Sequence, residues 1–251
     1  MPRKPDTEPK RRRPARVADQ IKDWVVAQGL QRGDRLPGEA EMISRFGMSK
    51  GTIREAMRLL EGQGLIETRT GPGGGSFVGE VSEERARSLL GNYFYFKDLT
   101  VANIYDLRRV LEPELAAQLA GTLSNEALAE LEELVSHYAA PAQSPEEERK
   151  QHIESLKFHA RLARQSDNAL LSFLIGFMAQ ILSDLTVYRK LYAPPNRELW
   201  ESGRNHQIQL IAALREGRSE DARQIMATHM ETAQRLMEAQ EAEVLKRFIA
   251  E

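Results

Sequence analysis

Residues 36–78 read LPGEAEMISRFGMSKGTIREAMRLLEGQGLIETRTGPGGGSFV, and the punctuation of this stretch decides the front of the fold. Residues 39–46 are enough for a two-turn helix, Gly47 breaks it, and Ser49 is a good N-cap for a second helix over 50–61. Ile53, Ala56, Met57 and Leu60 recur at helical spacing and form its buried stripe, leaving Lys50, Thr52, Arg54, Glu55 and Arg58 to solvent. Gly64 ends that helix. LIETRT and GSFV then read as two short strands around the turn GPGGG. Two short helices joined by a glycine turn and followed by a hairpin predict a winged helix-turn-helix.

The second helix makes the chemical case for DNA. It is short enough for a major groove, and its N-terminal end presents Ser49, Lys50, Thr52 and Arg54. Basic side chains read guanine edges, while hydroxyls and helix-terminal N–H groups fix phosphates. The wing adds Arg69 and Thr70 beside glycines that let backbone approach a duplex closely. Charge alone describes a solvated surface helix equally well. Upstream, Val17, Ile21, Trp24 and Val25 predict a helix over 15–29. Residues 1–14 hold four prolines and six basic residues and read as a disordered basic arm, either a solubilising tail or a source of phosphate contacts.

The 251 residues are 41% hydrophobic, enough for two modest domains with real cores. The chain has no cysteine, which removes disulfides, thiolate metal sites and cysteine catalysis. The longest apolar stretch, 170–188, is interrupted by Gln180, Ser183 and Asp184, so no membrane span is expected. The charged start lacks the apolar core of a secretory signal, and the expectation is a cytoplasmic protein. Residues 1–80 carry 15 Lys+Arg against 11 Asp+Glu, and the remainder 20 against 26. A basic front and an acidic back predict two domains, 15–80 and 81–251, with different partners.

Beyond residue 81 every segment reads as helix: 82–95, 100–121, 124–140, 145–166, 168–192, 196–216 and 219–248. Ser124, Asp167 or Asn168, Asn196 and Ser219 are the candidate N-caps. The fold class is therefore mainly α, a winged helix-turn-helix followed by an antiparallel all-α bundle. Several polar residues fall where the bundle's core should be. His159 sits among Leu156, Leu162 and Ala163, His206 on the stripe of Leu199 and Leu210, and His229 among Ile225, Met226 and Ala233. A buried imidazole is costly without partners, and one shared metal ion would satisfy all three. His137 reads as surface, and His152, two turns before His159, stays open. Arg108 falls on the stripe Ile104, Leu111, Leu115 with Glu112 one turn on, either as an internal ion pair or as a cavity arginine that holds a carboxylate. Gln180 and Asp184 lie near Phe177 and Ile181, lining the same cavity or satisfying each other.

Residues 36–78 resemble the DNA-binding domain of the GntR family of bacterial transcription regulators over more than forty positions. The resemblance implies DNA contacts by Ser49, Lys50, Gly51, Thr52 and Arg54 on the second helix and by Thr70 and Gly71 in the wing. Ala40 departs from the arginine common there, and Lys50 replaces the commoner arginine, which alone forms a planar bidentate fork. The helical region, with IYDLRRVLEPELAAQLA, KFHARLARQSDN and histidines at 206 and 229, resembles the FCD effector domain of the FadR subfamily. That resemblance implies a divalent metal ion, Zn²⁺ or Ni²⁺, on His159, His206 and His229, and a small carboxylate effector assisted by Arg108. The aspartate of the family pattern is replaced by Ser155, so Asp184, water or the effector is expected as fourth ligand. The resulting expectation is a homodimeric repressor of a catabolic operon, binding double-stranded operator DNA. The alternatives are a metal-free regulator with a larger apolar ligand and, lacking a general base beside the histidines, a three-histidine metalloenzyme.

Overall fold

The computed structural model describes residues 12–250, with side chains for 13–94 and 96–244. The chain divides into two compact units between Leu89 and Leu90. The first contains α1 (Arg12–Ala27), α2 (Glu39–Phe46), α3 (Lys50–Gln63), β1 (Ile66–Arg69) and β2 (Gly75–Val78). The two strands pair antiparallel from Ile66 opposite Val78 to Arg69 opposite Gly75. Val17, Ala18, Ile21, Leu36, Met42, Ile53, Ala56, Leu60 and Ile66 form one small core. Gly47 (φ 64°) and Gly64 (φ 79°) close α2 and α3 in the left-handed conformation, as their places in the sequence predict. Helix α1 starts at Arg12, so residues 12–14 belong to it rather than to an arm. Pro14 falls in the first turn, where its missing N–H has no intrahelical partner to lose. The rest of the expected arm, 1–11, lies outside the described residues.

Helix α4 (Glu83–Tyr95) crosses the division. The second unit then holds α5 (Val101–Leu119), α6 (Asn125–Ser136), α7 (Pro145–Ala163), α8 (Ala169–Tyr188), α9 (Arg197–Arg215) and α10 (Ser219–Ala250). Helix α10 packs on α5 and α9, and α7 packs on α8 and α6. Leu115, Phe158, Leu162, Leu182, Leu210, Met226 and Met230 are among the residues of the shared core. The side chains of Ser124, Asn168 and Asn196 cap their helices, each accepting the N–H three residues on. Ser219 instead opens α10, and its hydroxyl donates to the Ala117 carbonyl at 2.8 Å. The turns after α5 and α9 cross at two glycines: a Cβ on Gly121 would sit 3.1 Å from the Cα of Gly217, and both have positive φ. Helix α8 is long and apolar enough to cross a membrane by length and composition. One of its faces, with Ile175, Phe177, Met178 and Leu182, is buried in the bundle, while Leu170, Leu174 and Tyr188 are exposed.

Candidate functional site

In the first unit the N-terminal end of α3 is exposed at Ser49, Lys50, Gly51 and Arg54, with Thr52 half-buried. Ser49 caps it by accepting the Thr52 N–H at 3.3 Å, and the two hydroxyls lie 2.9 Å apart. Lys50 and Arg54 both reach back to one carboxylate, Glu39 at the start of α2. Its Oε1 is 3.1 Å from Lys50 Nζ and its Oε2 accepts from Arg54 Nε at 2.6 Å. These two cations hold the Glu39 carboxyl below its ordinary range. A groove of about 450 Å³ runs between α3 and the wing, lined by Arg35, Glu39, Arg54, Arg58, Thr68 and Gly75. Ser49, Lys50, Gly51, Thr52 and Arg54 are thus presented together, with Gly51 facing open space.

The wing divides its glycines by role. Gly71 (φ 92°) has nothing within 4 Å of a built Cβ, so only the turn itself demands glycine there. A Cβ on Gly74 would lie 2.5 Å from the Arg69 carbonyl, so that glycine serves the hairpin's own closure. Arg35, a residue the sequence reading passed over, braces the turn by donating from Nη2 to the Gly74 carbonyl at 2.7 Å. Arg69 stacks on the Phe77 ring at 4.5 Å and pairs with Glu67. Thr70 and Gly71 are exposed at the tip.

The second unit holds a small cavity of about 50 Å³ beneath α7, whose lining includes Arg108, Glu148, Gln151, His152, Ser155, His159 and His229. Arg108 is 1% exposed and has both properties its sequence position allowed. Its Nε donates to Glu112 Oε1 at 2.5 Å, while its Nη2 has no hydrogen-bond partner among the described residues. Glu112 Oε2 lies 2.6 Å from His159 Nδ1. Burial, the largest single influence, would raise the Glu112 carboxyl, but Arg108 and His159 together outweigh it and hold the group well below the usual carboxylate range. The carboxylate therefore accepts Nδ1–H of His159, which leaves His159 Nε2 as an acceptor. Burial lowers His159 and, more strongly, His229, so both rings are neutral near pH 7.

The structure brings two of the three predicted histidines together. The His159 and His229 rings stack at 5.1 Å with their Nε2 atoms 3.2 Å apart. His206 lies beside His229 at 5.4 Å between centroids, but its Nδ1 is 3.3 Å from Ser202 Oγ and it lines a separate, shallow depression. Among the described residues no three His, Asp or Glu side chains are grouped to hold one ion. Neutral imidazoles 3.2 Å apart suit two positions of one shell, since tetrahedral ligands at about 2.05 Å lie roughly 3.3 Å from each other. Ser155 supplies no anion, and its Oγ accepts from Gln207 Nε2 at 3.3 Å while Gln207 Oε1 accepts the Tyr138 hydroxyl at 2.6 Å. The donor set thus fits a divalent ion in part: two ligands in place, a third adjacent, no acid.

Gln180 and Asp184 are corrected. Both are exposed on α8 and bond each other, Nε2 to Oδ1 at 2.9 Å, away from the cavity. Spaced four apart, they satisfy each other in water. The carboxylates that do face inward are Glu112 and Glu148. Glu148 is 7% exposed, accepts the Asn196 N–H at 3.1 Å, and is raised by burial. His152, left open by sequence, lines the cavity with Nε2 3.3 Å from Thr186 Oγ1, and burial pushes it down to about 4. Glu148, Gln151, His152, Ser155 and His159 follow the i, i+3, i+4, i+7, i+11 rule of one helix face, a signal present in the sequence but obscured by their polarity.

Comparison with known proteins agrees with this two-part organisation. Residues 14–78 match the family described as bacterial regulatory proteins, gntR family, and residues 103–232, just over half of the chain, match the FCD domain. The Glc operon transcriptional activator of Escherichia coli (strain K12) is 32% identical over 111 residues, 44% of this chain and 42% of that protein. The match thus spans less than half the length of that relative. The Uxu operon regulator of Haemophilus influenzae is 24% identical over 211 residues, 82% of this chain and 75% of that protein. The solved structure of a Streptococcus agalactiae GntR protein superposes with a TM-score of 0.58 at 22% identity, covering 88% of this chain and 99% of that one, and so shares the fold. The family described over residues 14–78 is one of regulators, the curated relatives are named as regulators too, and the chain belongs to the FCD-domain proteins, with the gntR-family segment in front as its winged helix-turn-helix.

Proposed function

We propose that this protein is a cytoplasmic transcription regulator of the FadR subfamily, a homodimer that binds a pseudo-palindromic operator and responds to a small carboxylate effector. The observation that carries the DNA half is the exposed N-terminal end of α3, where Ser49, Lys50, Gly51, Thr52 and Arg54 stand together beside a wing carrying Arg69, Thr70 and Gly71. The effector half rests on Arg108, a buried cation that lines the cavity and whose Nη2 has no hydrogen-bond partner among the described residues. A carboxylate is the ligand that such an N–H binds most strongly. The small volume of the cavity speaks against a larger ligand. Exposed Leu107 and Val110 on α5 and Leu170 and Leu174 on α8 support association of two copies. The reading is of repression of a catabolic operon for an organic acid, with effector binding lowering operator affinity.

The reading includes a divalent ion, Zn²⁺ or Ni²⁺, held by His159 and His229 with His206 as a third ligand. The 3.2 Å approach of the two Nε2 atoms supports it, as does Glu112, which orients His159 in the way carboxylates orient metal-binding imidazoles. When bound, the ion would add positive charge to the cavity. Glu112 fixes the tautomer of His159, and Arg108 aligns the acid. Without an anionic ligand, affinity should fall below that of sites with one. Elemental analysis after metal-replete dialysis tests this: fewer than about one ion per ten chains removes the metal. For the function itself, a gel shift on DNA flanking the protein's own gene decides. Retardation relieved by small carboxylic acids is expected, and no retardation with or without them would sink the operator reading.

A further inference from the structure

The wing is too small to hold its own shape. Its strands have four residues each, and an isolated hairpin of that length is marginal in water. Residues 70–74, which join them, include three glycines, and glycine widens the choice of backbone conformations. Thr70 and Gly71 can therefore meet a duplex in one fixed place only if something outside the hairpin holds it. Residues 33–36 run beside β2. Gly33 donates its N–H to the Val78 carbonyl at 2.9 Å, Val78 donates to the Asp34 carbonyl at 2.8 Å, and Leu36 donates to the Ser76 carbonyl at 2.8 Å. On the other edge, Glu61 near the end of α3 accepts the Thr68 N–H at 3.2 Å.

Backbone pairing with residues 33–36 reaches no nearer the tip than Ser76, and the Arg35 side chain spans what is left. Its Nη2 donates to the Gly74 carbonyl at 2.7 Å. A Cβ on Gly75 would lie 3.1 Å from Arg35 Nε, so the absent side chain gives the guanidinium its seat. Lysine carries the same charge on a point-like ammonium and lacks the planar fork that lies over Gly75 while an outer N–H reaches Gly74. We infer that Arg35 is a positioning residue for DNA recognition, fixing the wing before a duplex arrives. Ordering a loop at the moment of binding costs affinity, and a brace made beforehand removes that cost. The inference rests on the operator-binding reading and adds to it a residue that acts through the wing. Arg35 is also an exposed cation beside the groove, so a plain phosphate contact is the rival role.

The test is a fluorescence-anisotropy titration of the full-length protein with duplex drawn from the DNA flanking its own gene. Arg35→Ala and Arg35→Lys should weaken binding alike, each about fivefold or more. Thr70→Ala should cost affinity in the wild-type background and little in the Arg35→Lys background, because the tip is no longer aimed there. A lysine variant that binds like the wild type, with only Arg35→Ala weakened and its salt slope reduced by about one, makes Arg35 a phosphate contact and overturns the inference. Additive losses for Arg35→Lys and Thr70→Ala overturn it too. No binding by the wild type overturns the operator reading and this inference together. Amide hydrogen exchange of the free protein needs no DNA and separates the two failures. The Gly74 N–H, which donates to the Gly71 carbonyl at 2.8 Å, should be protected in the wild type and lose protection in Arg35→Lys. An unprotected Gly74 in the wild type overturns the brace even if no variant folds.

Discussion

Two carboxylates in this protein do the same chemistry in opposite surroundings. Glu39 holds Lys50 and Arg54 in the first unit, and Glu112 holds Arg108 and His159 in the bundle. The Glu39 side chain is 37% exposed, and that of Glu112 is 1% exposed. Water screens the first pair, so its ions can exchange partners at little cost. The second pair has no water to fall back on. Removing one member strands a charge that the surrounding protein cannot solvate. The difference matches the two tasks we propose for them: side chains that meet DNA phosphates must let go of their internal partner, whereas a ligand anchor must already be aimed.

That contrast is open to attack, starting where the effect is largest. Glu112→Ala should lower unfolding free energy by about 3–5 kcal/mol, because it leaves Arg108 buried and unpaired. Urea denaturation measures this, and a loss below about 1 kcal/mol would mean that water reaches the pair. Next comes the pH response of His152. Its folded value of about 4 lies below its ordinary 6.5, so its contribution is fully present above pH 6.5. Stability should then fall as pH drops toward 4, because the unfolded chain binds the proton first. The span is on the order of 2–3 kcal/mol. Comparing pH-dependent unfolding of the wild-type and His152→Gln proteins isolates that share, and identical slopes would refute the assignment.

On the exposed side, Arg54→Ala should weaken specific operator binding by about 1–3 kcal/mol with little effect on folding. An equal loss on operator and random duplex would make Arg54 a phosphate contact only. The smallest stability effect belongs to Glu39→Gln, whose unfolding midpoint should barely move. Its readout is DNA: with Lys50 and Arg54 released, affinity for a random duplex at low salt should rise and the salt dependence steepen. If the midpoint falls as far as in Glu112→Ala, the comparison of screened and dry carboxylates is wrong.

Much of the first unit was legible because its signals are local. Gly47, Ser49 and Gly64 mark helix ends by backbone chemistry that needs no distant partner, and the α2 and β2 boundaries agree with the sequence reading. Arg35 was missed because its brace on Gly74 spans 39 residues. In the bundle, helix caps and apolar stripes were equally legible, and Arg108 was rightly placed inward. Gln180 and Asp184 were misplaced because a helix so rich in apolar residues has no clear polar face from which to judge direction.

By itself the sequence determined the order of elements, the ends of α2 and α3 and the inward faces of His159, His229 and Arg108, since each follows from spacing along one helix or turn. Tertiary structure alone decided that Glu112 holds Arg108 and His159 together, that His206 turns to Ser202, and that Arg108 Nη2 is left without a hydrogen-bond partner among the described residues. Those outcomes depend on which helices meet and on which hydrogen bonds remain unmade, and periodicity along a single chain segment carries no information about either.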